Sequence, residues 1–124
     1  MKRRLYVPER GDLVWITLNP VAGHEQAGRR PALVLSPRSY NRKTGLCVIC
    51  PATRQRKGYA FEVESIGPDG VLLADHLRNV DWQARRAEKM YRVPDDVLAT
   101  VVAQLEALII SPDVQGSPSP PRIQ

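Results

Sequence analysis

The chain has 124 residues, a mass of 13.9 kDa, 43% hydrophobic residues, 25% charged residues and a formal net charge of +5, which is typical of one folded, basic globular domain. No apolar run approaches the roughly 20 residues that a membrane-spanning helix needs, and no apolar signal segment follows the basic N-terminus. These features argue against a membrane-embedded or secreted protein, and we expect a cytoplasmic one.

Short strand-like runs dominate the first three quarters of the chain. Clusters of β-branched, aromatic and aliphatic residues, bounded by turn-forming residues, predict six strands at about 13–18, 32–35, 46–50, 61–64, 71–74 and 88–93. Many short strands followed by one helix predict a mainly β fold with a C-terminal α-helix, built as a small twisted sheet or partly open barrel.

The hydrophobic pattern changes to helical spacing near the C-terminus. Pro94 and two aspartates begin a segment of about 15 residues in which apolar side chains recur every three or four positions. We expect its apolar stripe to pack against the core at one end of the barrel. The stripe consists of Val97, Leu98, Val101, Val102, Leu105, Leu108 and Ile109. Residues 111–124 are rich in Pro and Ser and are expected to form a disordered or extended tail, so the folded domain is predicted to span residues 1–110.

Positive charge is concentrated in one stretch of the sequence. No acidic residue occurs between Glu25 and Glu62, an interval that holds eight arginine and lysine residues. Fourteen of the 18 cations in the chain are arginine, whose planar guanidinium suits phosphate. The stretch favours an anionic polymer as the partner, with a solvated positive face as the alternative.

Cys47 and Cys50 form a C-x-x-C pair, a spacing found in zinc and redox sites. In a buried strand at 46–50, however, residues three apart face opposite sides of the sheet and cannot bind one ion. The only histidines, His24 and His76, do not supply a second ligand pair. We therefore expect two buried structural thiols and no metal site.

Two loops carry residues suited to phosphate chemistry. In 24–31, Glu25 and Arg30 flank a glycine turn, which is consistent either with a loop salt bridge or with an anion site. In 51–58, the hydroxyl of Thr53 at a strand end precedes three cations and could line the same site from an adjacent strand. Neither pattern is specific by itself.

Together these motifs closely resemble those of the MazF/PemK toxins of bacterial toxin–antitoxin modules. The resemblance rests on five segments in order: GDLVW at 11–15, GHEQAGRRPALVLS at 23–36, YNRKTG at 40–45, KGY at 57–59 and LADHLRNVDW at 73–82. It extends from about residue 4 to residue 109, and the E-Q-x-G-x-R-P block at 25–31 is its specific element.

The resemblance implies a small SH3-like, partly open barrel, related to the CcdB fold and assembled as a homodimer. It further implies a sequence-specific endoribonuclease, or mRNA interferase, that cleaves single-stranded RNA and is held inactive by a cognate acidic MazE-like antitoxin. The expected chemistry is metal-independent attack of the ribose 2′-hydroxyl on the adjacent phosphorus, which leaves a 2′,3′-cyclic phosphate and a 5′-hydroxyl. No cofactor is implied.

The catalytic residues of that family fall on Arg30, Thr53 and Glu25 by their positions in the motifs. Arg30 is expected to bind phosphate oxygens, Thr53 to donate a hydrogen bond to one of them, and Glu25 to act as the base or to orient Arg30. The other predicted RNA contacts are His24, Gln26, Arg29, Tyr40, Asn41, Arg54, Arg56, Lys57, Asp75, His76, Asp81 and Arg85. Trp15 and Trp82 are expected to pack. Many relatives have glutamine at the position of His76, so the cleavage sequence of a relative does not transfer.

Two other functions are consistent with parts of the sequence. A CcdB-like toxin of the same fold would inhibit DNA gyrase without cleaving nucleic acid, and it would not need Glu25, Arg30 and Thr53. A non-catalytic single-strand RNA-binding barrel would need only the basic stretch, and it predicts salt-sensitive binding without a cleaved product.

Overall fold

The computed structural model describes residues 5–18, 28–64 and 70–111. The strands within these ranges are β1 (Asp12–Thr17), β2 (Arg29–Val34), β3 (Leu46–Thr53), β4 (Glu62–Glu64), β5 (Val71–Leu73), β6 (Arg78–Asp81) and β7 (Glu88–Arg92). The helices are α1 (Arg38–Thr44) and α2 (Asp95–Ile110). All six predicted strands and the predicted helix are confirmed, with ends that differ by a few residues.

The strands form an antiparallel sheet in the order β4-β5-β3-β2-β1-β7, with β6 also paired to β3. Because this path does not close on itself, the predicted partly open barrel with a C-terminal helix is confirmed. β3 is the central strand, since it pairs with β2, β6 and β5. The position of β3 decides where the candidate site lies.

β3 is longer than predicted. A proline inside a central strand is unusual because it lacks the N–H that pairs with a neighbouring strand. The sequence predicts a strand that ends before Pro51, yet the strand continues to Thr53. The reason is a change of partner: residues up to Ile49 pair with β6, whereas residues from Ala52 pair with β5. This change interrupts the ladder along one edge of β3, where a residue without an N–H is tolerated.

The helix α1 and the strand β6 lie outside the sequence predictions. α1 has no apolar period, and its buried residue is Asn41. The side-chain amide of Asn41 donates hydrogen bonds to the backbone carbonyls of Pro8 at 2.8 Å and Ser36 at 3.0 Å. β6 buries Val80 between exposed neighbours and therefore lacks a clear alternating pattern.

Two apolar clusters pack on opposite faces of the sheet, as the alternation of side chains along each strand requires. The first cluster contains Leu13, Leu33, Cys50, Ala52, Val63, Leu72, Ala74, Val93, Val97, Val101 and Leu105. The second cluster contains Val14, Ile16, Leu18, Ala32, Val34, Cys47, Ile49, Val80 and Trp82. Trp82 packs as expected, and its indole N–H donates to the carbonyl oxygen of Asn41 at 2.9 Å.

The helix α2 buries less of its apolar stripe than predicted. Val97, Val101 and Leu105 are buried in the first cluster because they lie one turn apart on the side that faces the sheet. The prediction that the whole stripe packs in the core is wrong, because a helix that touches an open sheet from one side buries only a narrow strip. The exposed apolar residues of the helix are Val102, Leu108, Ile109 and Ile110.

The two cysteines lie on opposite faces of β3, as predicted. Cys50 belongs to the first cluster and Cys47 to the second, and both are free thiols. Burial raises the pKa of each thiol to about 12. Since the thiolate is the reactive form, neither side chain is a nucleophile at neutral pH.

We expect both thiols to resist alkylation in the folded protein. Iodoacetamide at about pH 8, near the ordinary pKa of cysteine, should leave Cys47 and Cys50 unmodified until guanidinium unfolds the chain, after which both should react. Intact-mass spectrometry before and after unfolding measures this directly. Labelling of the native protein at the rate of a free cysteine would contradict the burial of the thiols.

No helix among the described residues is long and apolar enough to cross a membrane. Residues 112–124, which make up nearly all of the predicted tail, lie outside the described residues. The division of the chain at residue 110 therefore stays a prediction.

Candidate active site

A cleft opens where β2 and β3 separate. The register between the two strands ends with the pair Ala32 and Pro51. Beyond that pair β2 continues along β1, whereas β3 continues along β5. The cavity at this point has a volume of about 470 Å³ and is lined by Trp15, Arg29, Arg30, Pro31, Ala52, Thr53, Arg54 and Gln55. Two of the three predicted catalytic residues, Arg30 and Thr53, therefore line one cavity.

Arg30 is the exposed cation of this cleft that comes from β2. It lies opposite Ile16 of β1, whose side chain belongs to the second core cluster, so the side chain of Arg30 leaves the same face of the sheet. The side chain is exposed, and no carboxylate within the described ranges pairs with it. A guanidinium placed in this way can donate two parallel hydrogen bonds to a phosphate group.

Thr53 presents its hydroxyl at the last position of β3. The hydroxyl oxygen accepts a hydrogen bond from the backbone N–H of Gln55 at 3.1 Å, which fixes the start of the following loop. This bond uses an oxygen lone pair and leaves the O–H proton free to be donated. Arg30 and Thr53 are each two residues beyond the last pair of β2 with β3, so their side chains leave the same side of these strands.

Arg29 is buried, which corrects its assignment as an RNA contact. Its side chain is 3% exposed and forms an ion pair with Glu88 at 2.7 Å. The same guanidinium donates to the hydroxyl of Thr17 at 2.9 Å and to the carbonyl oxygens of Trp15 and Arg86 at 3.2 and 2.9 Å. With these partners it ties β1 and β2 to β7 and the turn before it, and its guanidinium is committed to protein groups.

Asn41 is also buried, so its predicted contact with RNA is corrected in the same way. It is fully enclosed, and its side chain is occupied by Pro8 and Ser36, as described above. The neighbouring Tyr40 is half-buried, and its hydroxyl accepts a hydrogen bond from Asn79 at 3.0 Å. Of this predicted pair, Tyr40 alone keeps a surface that RNA can reach.

The basic loop after β3 is organised by two acidic residues of β4. The carboxylate of Glu62 accepts the backbone N–H of Lys57 at 2.7 Å. Glu64 accepts two hydrogen bonds from the guanidinium of Arg56, at 2.7 and 2.5 Å, and these bonds lower the pKa of the Glu64 carboxyl. The predicted contact Arg56 is therefore engaged with a carboxylate, whereas the side chains of Arg54 and Lys57 are exposed without one among the described residues.

Tyr59 anchors the far end of this loop to two predicted contacts, Asp75 and His76. Its hydroxyl donates to a carboxylate oxygen of Asp75 at 2.9 Å and lies 3.2 Å from Nε2 of His76. Burial, followed by the bond to Asp75, raises the pKa of the Tyr59 hydroxyl, so the group stays protonated and acts as a donor. Within the described part of the chain, no three His, Cys, Asp or Glu side chains are placed to share a metal ion.

Asp81 and Arg85, two further predicted contacts, lie at the turn between β6 and β7. The Asp81 carboxylate accepts the backbone N–H groups of Gln83 at 3.1 Å and Ala84 at 2.9 Å, so it shapes the turn. The guanidinium of Arg85 reaches the end of β1 and donates to the carbonyl oxygen of Leu18 at 3.0 Å.

The predicted residues His24, Glu25 and Gln26 lie outside the described residues. The residues on either side of that segment, Leu18 and Gly28, are joined by a backbone hydrogen bond of 2.8 Å. Since Gly28 is two residues before Arg30, the chain leaves β1 and returns to β2 beside the cleft. The role of Glu25 stays a prediction.

Trp15 lines the cleft, although the sequence predicts only a packing role for this residue. It is partly exposed, lies opposite Pro31 in the β1–β2 register, and has the guanidinium of Arg29 at 5.9 Å from its ring centroid. Trp15 is linked to the site because it lies opposite Pro31, the proline of the E-Q-x-G-x-R-P block. The sequence of one strand does not predict which residue of the next strand lies opposite. A partly exposed indole in this cleft offers a surface on which an unpaired base can stack.

Residues 9–109 match the model of the family described as PemK-like, MazF-like toxins of type II toxin–antitoxin systems. The chain belongs to the PemK/MazF-like toxin family. The resemblance noted in its motifs is thereby confirmed.

Named members of the PemK/MazF-like family match most of the chain. The endoribonuclease toxin MazF of Escherichia coli K12 is 49% identical over 106 residues, which cover 84% of this chain and 96% of that protein. The endoribonuclease PemK of Escherichia coli is 34% identical over 114 residues, which cover 86% of each chain. In a crystal structure of MazE–MazF (form II) from Deinococcus radiodurans, a chain with 54% identity matches with a TM-score of 0.77, over 84% of this chain and 96% of that one.

Proposed function

We propose that this protein is the toxin of a toxin–antitoxin module and acts as a sequence-specific endoribonuclease on single-stranded RNA. The observation that carries the proposal is the cleft between β2 and β3, in which Arg30 and Thr53 converge from two strands on the same side of the sheet. Both are donors suited to phosphate oxygens. Relatives named as endoribonucleases, at 49% and 34% identity, support the same activity.

The proposed reaction is transesterification within the RNA. The ribose 2′-oxygen attacks the adjacent phosphorus, the bond from phosphorus to the 5′-oxygen breaks, and the products are a 2′,3′-cyclic phosphate and a 5′-hydroxyl. The step needs a base for the 2′-hydroxyl, stabilisation of charge on the phosphorane and a proton for the leaving oxygen. A metal is not needed to supply the nucleophile, because it belongs to the substrate and is already in place.

Arg30 and Thr53 stabilise the phosphorane in this mechanism. Arg30 can bridge two non-bridging oxygens, while the free O–H of Thr53 donates to one of them. Glu25 is proposed as the base or as the group that orients Arg30. Arg54 lines the same cleft and adds positive charge along the path of the RNA strand.

The proposed partners are single-stranded RNA, an acidic MazE-like antitoxin and a second copy of the chain, all in the cytoplasm. Solved relatives named as MazE–MazF complexes support the antitoxin. The exposed apolar side of α2, with Ile109 and Ile110 at 70% and 72% exposure, supports a further protein contact. An acidic flexible chain and RNA are both attracted by the basic surface.

The test uses purified protein, EDTA, and a long mixed-sequence RNA beside a DNA of the same sequence. We expect cuts at discrete unpaired sites in the RNA, cyclic phosphate at the new 3′ ends, and intact DNA. Binding of RNA without any product would favour the non-catalytic barrel, and inhibition of DNA gyrase without RNA cleavage would favour the CcdB-like toxin. Cleavage that requires added Mg²⁺ would contradict the proposed mechanism.

Replacing Thr53 separates its donor role from its role in the fold. Thr53→Val removes the hydroxyl and keeps the shape, and we expect the single-turnover rate to fall by about 10–100-fold, the worth of one hydrogen bond to a charged group. Thr53→Ser should keep most of the rate. Thr44→Val is the matched control, since it removes an exposed hydroxyl at the end of α1. A Thr53→Val protein as fast as this control would refute the assignment.

A further inference from the structure

Two arginines outside the Arg30–Thr53 pair meet at the end of β1. Nη1 of Arg78 donates to the carbonyl oxygen of Leu18 at 3.1 Å. Nη1 of Arg85 donates to the same oxygen at 3.0 Å and to the carbonyl oxygen of Thr17 at 3.2 Å. The two Nη1 atoms are therefore at most about 6 Å apart. Two like charges at this separation repel each other, and a bound anion would offset that repulsion.

No described carboxylate accompanies this pair. Other arginines do have acidic partners within the ranges 5–18, 28–64 and 70–111: these pairs are Arg29–Glu88, Arg38–Glu9, Arg56–Glu64 and Arg92–Asp95. Arg78 and Arg85 form no such pair there. A guanidinium has five N–H donors, and the carbonyl contacts use only the Nη1 group of each. Donors therefore remain on both side chains, beside a concentrated positive charge.

Both side chains are held by regular structure. Arg78 begins β6 and lies opposite Ile49 of the central strand. Arg85 lies in the turn shaped by Asp81, and its backbone N–H donates to the carbonyl oxygen of Asp81 at 3.0 Å. The guanidinium groups are therefore placed before any ligand arrives, which lowers the entropy lost on binding.

Arg78 lies on the face of the sheet from which Arg30 projects, and Arg85 meets it there at the carbonyl oxygen of Leu18. Arg30 lies opposite Ile16 and Arg78 lies opposite Ile49. Both isoleucines belong to the second core cluster, so the side chains of Arg30 and Arg78 leave the same side of the sheet. Leu18 is two residues beyond Ile16, or about 7 Å farther along the strand. An RNA strand with its scissile phosphate at Arg30 can thus reach the pair with a neighbouring phosphate.

We infer that Arg78 and Arg85 form a second phosphate site, which binds one non-scissile phosphodiester of the RNA substrate. The inference rests on the proposed function and deepens it, because it assigns a binding role to Arg78 and a phosphate ligand to Arg85. The site binds a part of the RNA strand that is not cleaved. Its loss should therefore weaken substrate binding and leave the chemical step nearly unchanged.

The experiment compares wild type, the Arg78→Gln/Arg85→Gln double variant, and Arg42→Gln, which removes an exposed arginine of α1 as the matched control. Binding is measured on an RNA whose cleaved nucleotide carries a 2′-deoxy group, so that no reaction occurs. We expect the double variant to raise Kd about 10–100-fold and to reduce the slope of log K against log salt by about 0.7, the value for one phosphate on a single strand. On the all-ribose RNA, kcat should stay within about threefold.

A methylphosphonate scan identifies the phosphate concerned. A neutral methylphosphonate at one flanking position should weaken RNA binding by the wild-type protein as much as the double substitution does. The same methylphosphonate should not weaken RNA binding by the double variant any further. If the double variant matches Arg42→Gln in Kd and salt slope, the second site is refuted. A second result would also refute it. In that result the double variant binds RNA more weakly and has a lower thermal midpoint, and every methylphosphonate still weakens its binding. The two arginines would then act only on the fold. A wild type that binds RNA without cleaving it would overturn the proposed function instead, and the binding measurements would still decide the second site.

Discussion

Replacement of Arg30 by alanine should abolish RNA cleavage while the fold persists. In the proposed mechanism the guanidinium stabilises the charge that develops on the phosphorane, and loss of such a group from a phosphoryl-transfer site lowers the rate by at least about 10³-fold. The side chain is exposed and has no ion pair among the described residues, so stability should change by no more than about 0.5 kcal/mol. Single-turnover cleavage and urea denaturation measure the two effects.

Two variants make this result specific to Arg30. Arg42→Ala removes an exposed arginine from α1 and should leave the cleavage rate near that of wild type. Arg30→Lys keeps the charge without the planar fork and should give an intermediate rate. If Arg30→Ala cleaves at the wild-type rate, Arg30 is not the group that stabilises the phosphorane, and the mechanism fails.

Gly70→Ala should destabilise the protein and displace Thr53, although Gly70 does not line the cleft. Gly70 precedes β5 with a φ of +97°, a conformation that an L-residue adopts only with strain. An added Cβ would collide with the carbonyl oxygen of Thr53 and lie 2.8 Å from the Cα of Arg54. Strain and overlap each cost about 1–3 kcal/mol, so we expect a loss of about 2–6 kcal/mol of unfolding free energy.

Cleavage should fall together with stability in the Gly70→Ala protein. The collision displaces the end of β3, and a shift of about 1 Å at Thr53 is enough to lower the rate about 10²-fold even in molecules that stay folded. Gly45→Ala is the matched control, since Gly45 has a φ of +73° but nothing lies within 4 Å of its added Cβ. It should cost only about 1–2 kcal/mol and leave cleavage intact. Equal stability and activity in the two variants would show that β5 adjusts around residue 70.

The adjacent arginines 29 and 30 show where inference from the sequence ends. Both are cations in one motif, and both have a guanidinium that suits phosphate. Strand alternation sends their side chains to opposite faces of β2. The register with β1 and the position of Glu88 then bury Arg29, whereas Arg30 stays exposed at the cleft. A local pattern predicts that the two residues differ but does not say which one is buried.

The apolar stripe of α2 shows the same limit on a larger scale. Helical spacing predicts the helix and its buried positions Val97, Val101 and Leu105 correctly. Spacing does not tell how wide a strip the sheet can cover, and Ile109 stays exposed although it fits the period. At Pro51 the local pattern predicts too little structure. A proline predicts the end of a strand, but β3 continues because its partner changes from β6 to β5.

The sequence by itself determines the strands with alternating patterns, the C-terminal helix, the separation of the two thiols and the family motifs, because each depends on spacing over a few residues. The tertiary structure alone decides that β2 and β3 part beside Arg30 and Thr53, and that Arg78 and Arg85 meet at Leu18. The residues of those last two contacts are 60 and 67 positions apart along the chain. Contacts across such distances depend on strand register and on how the two faces of the sheet pack, and neither is encoded in any single segment.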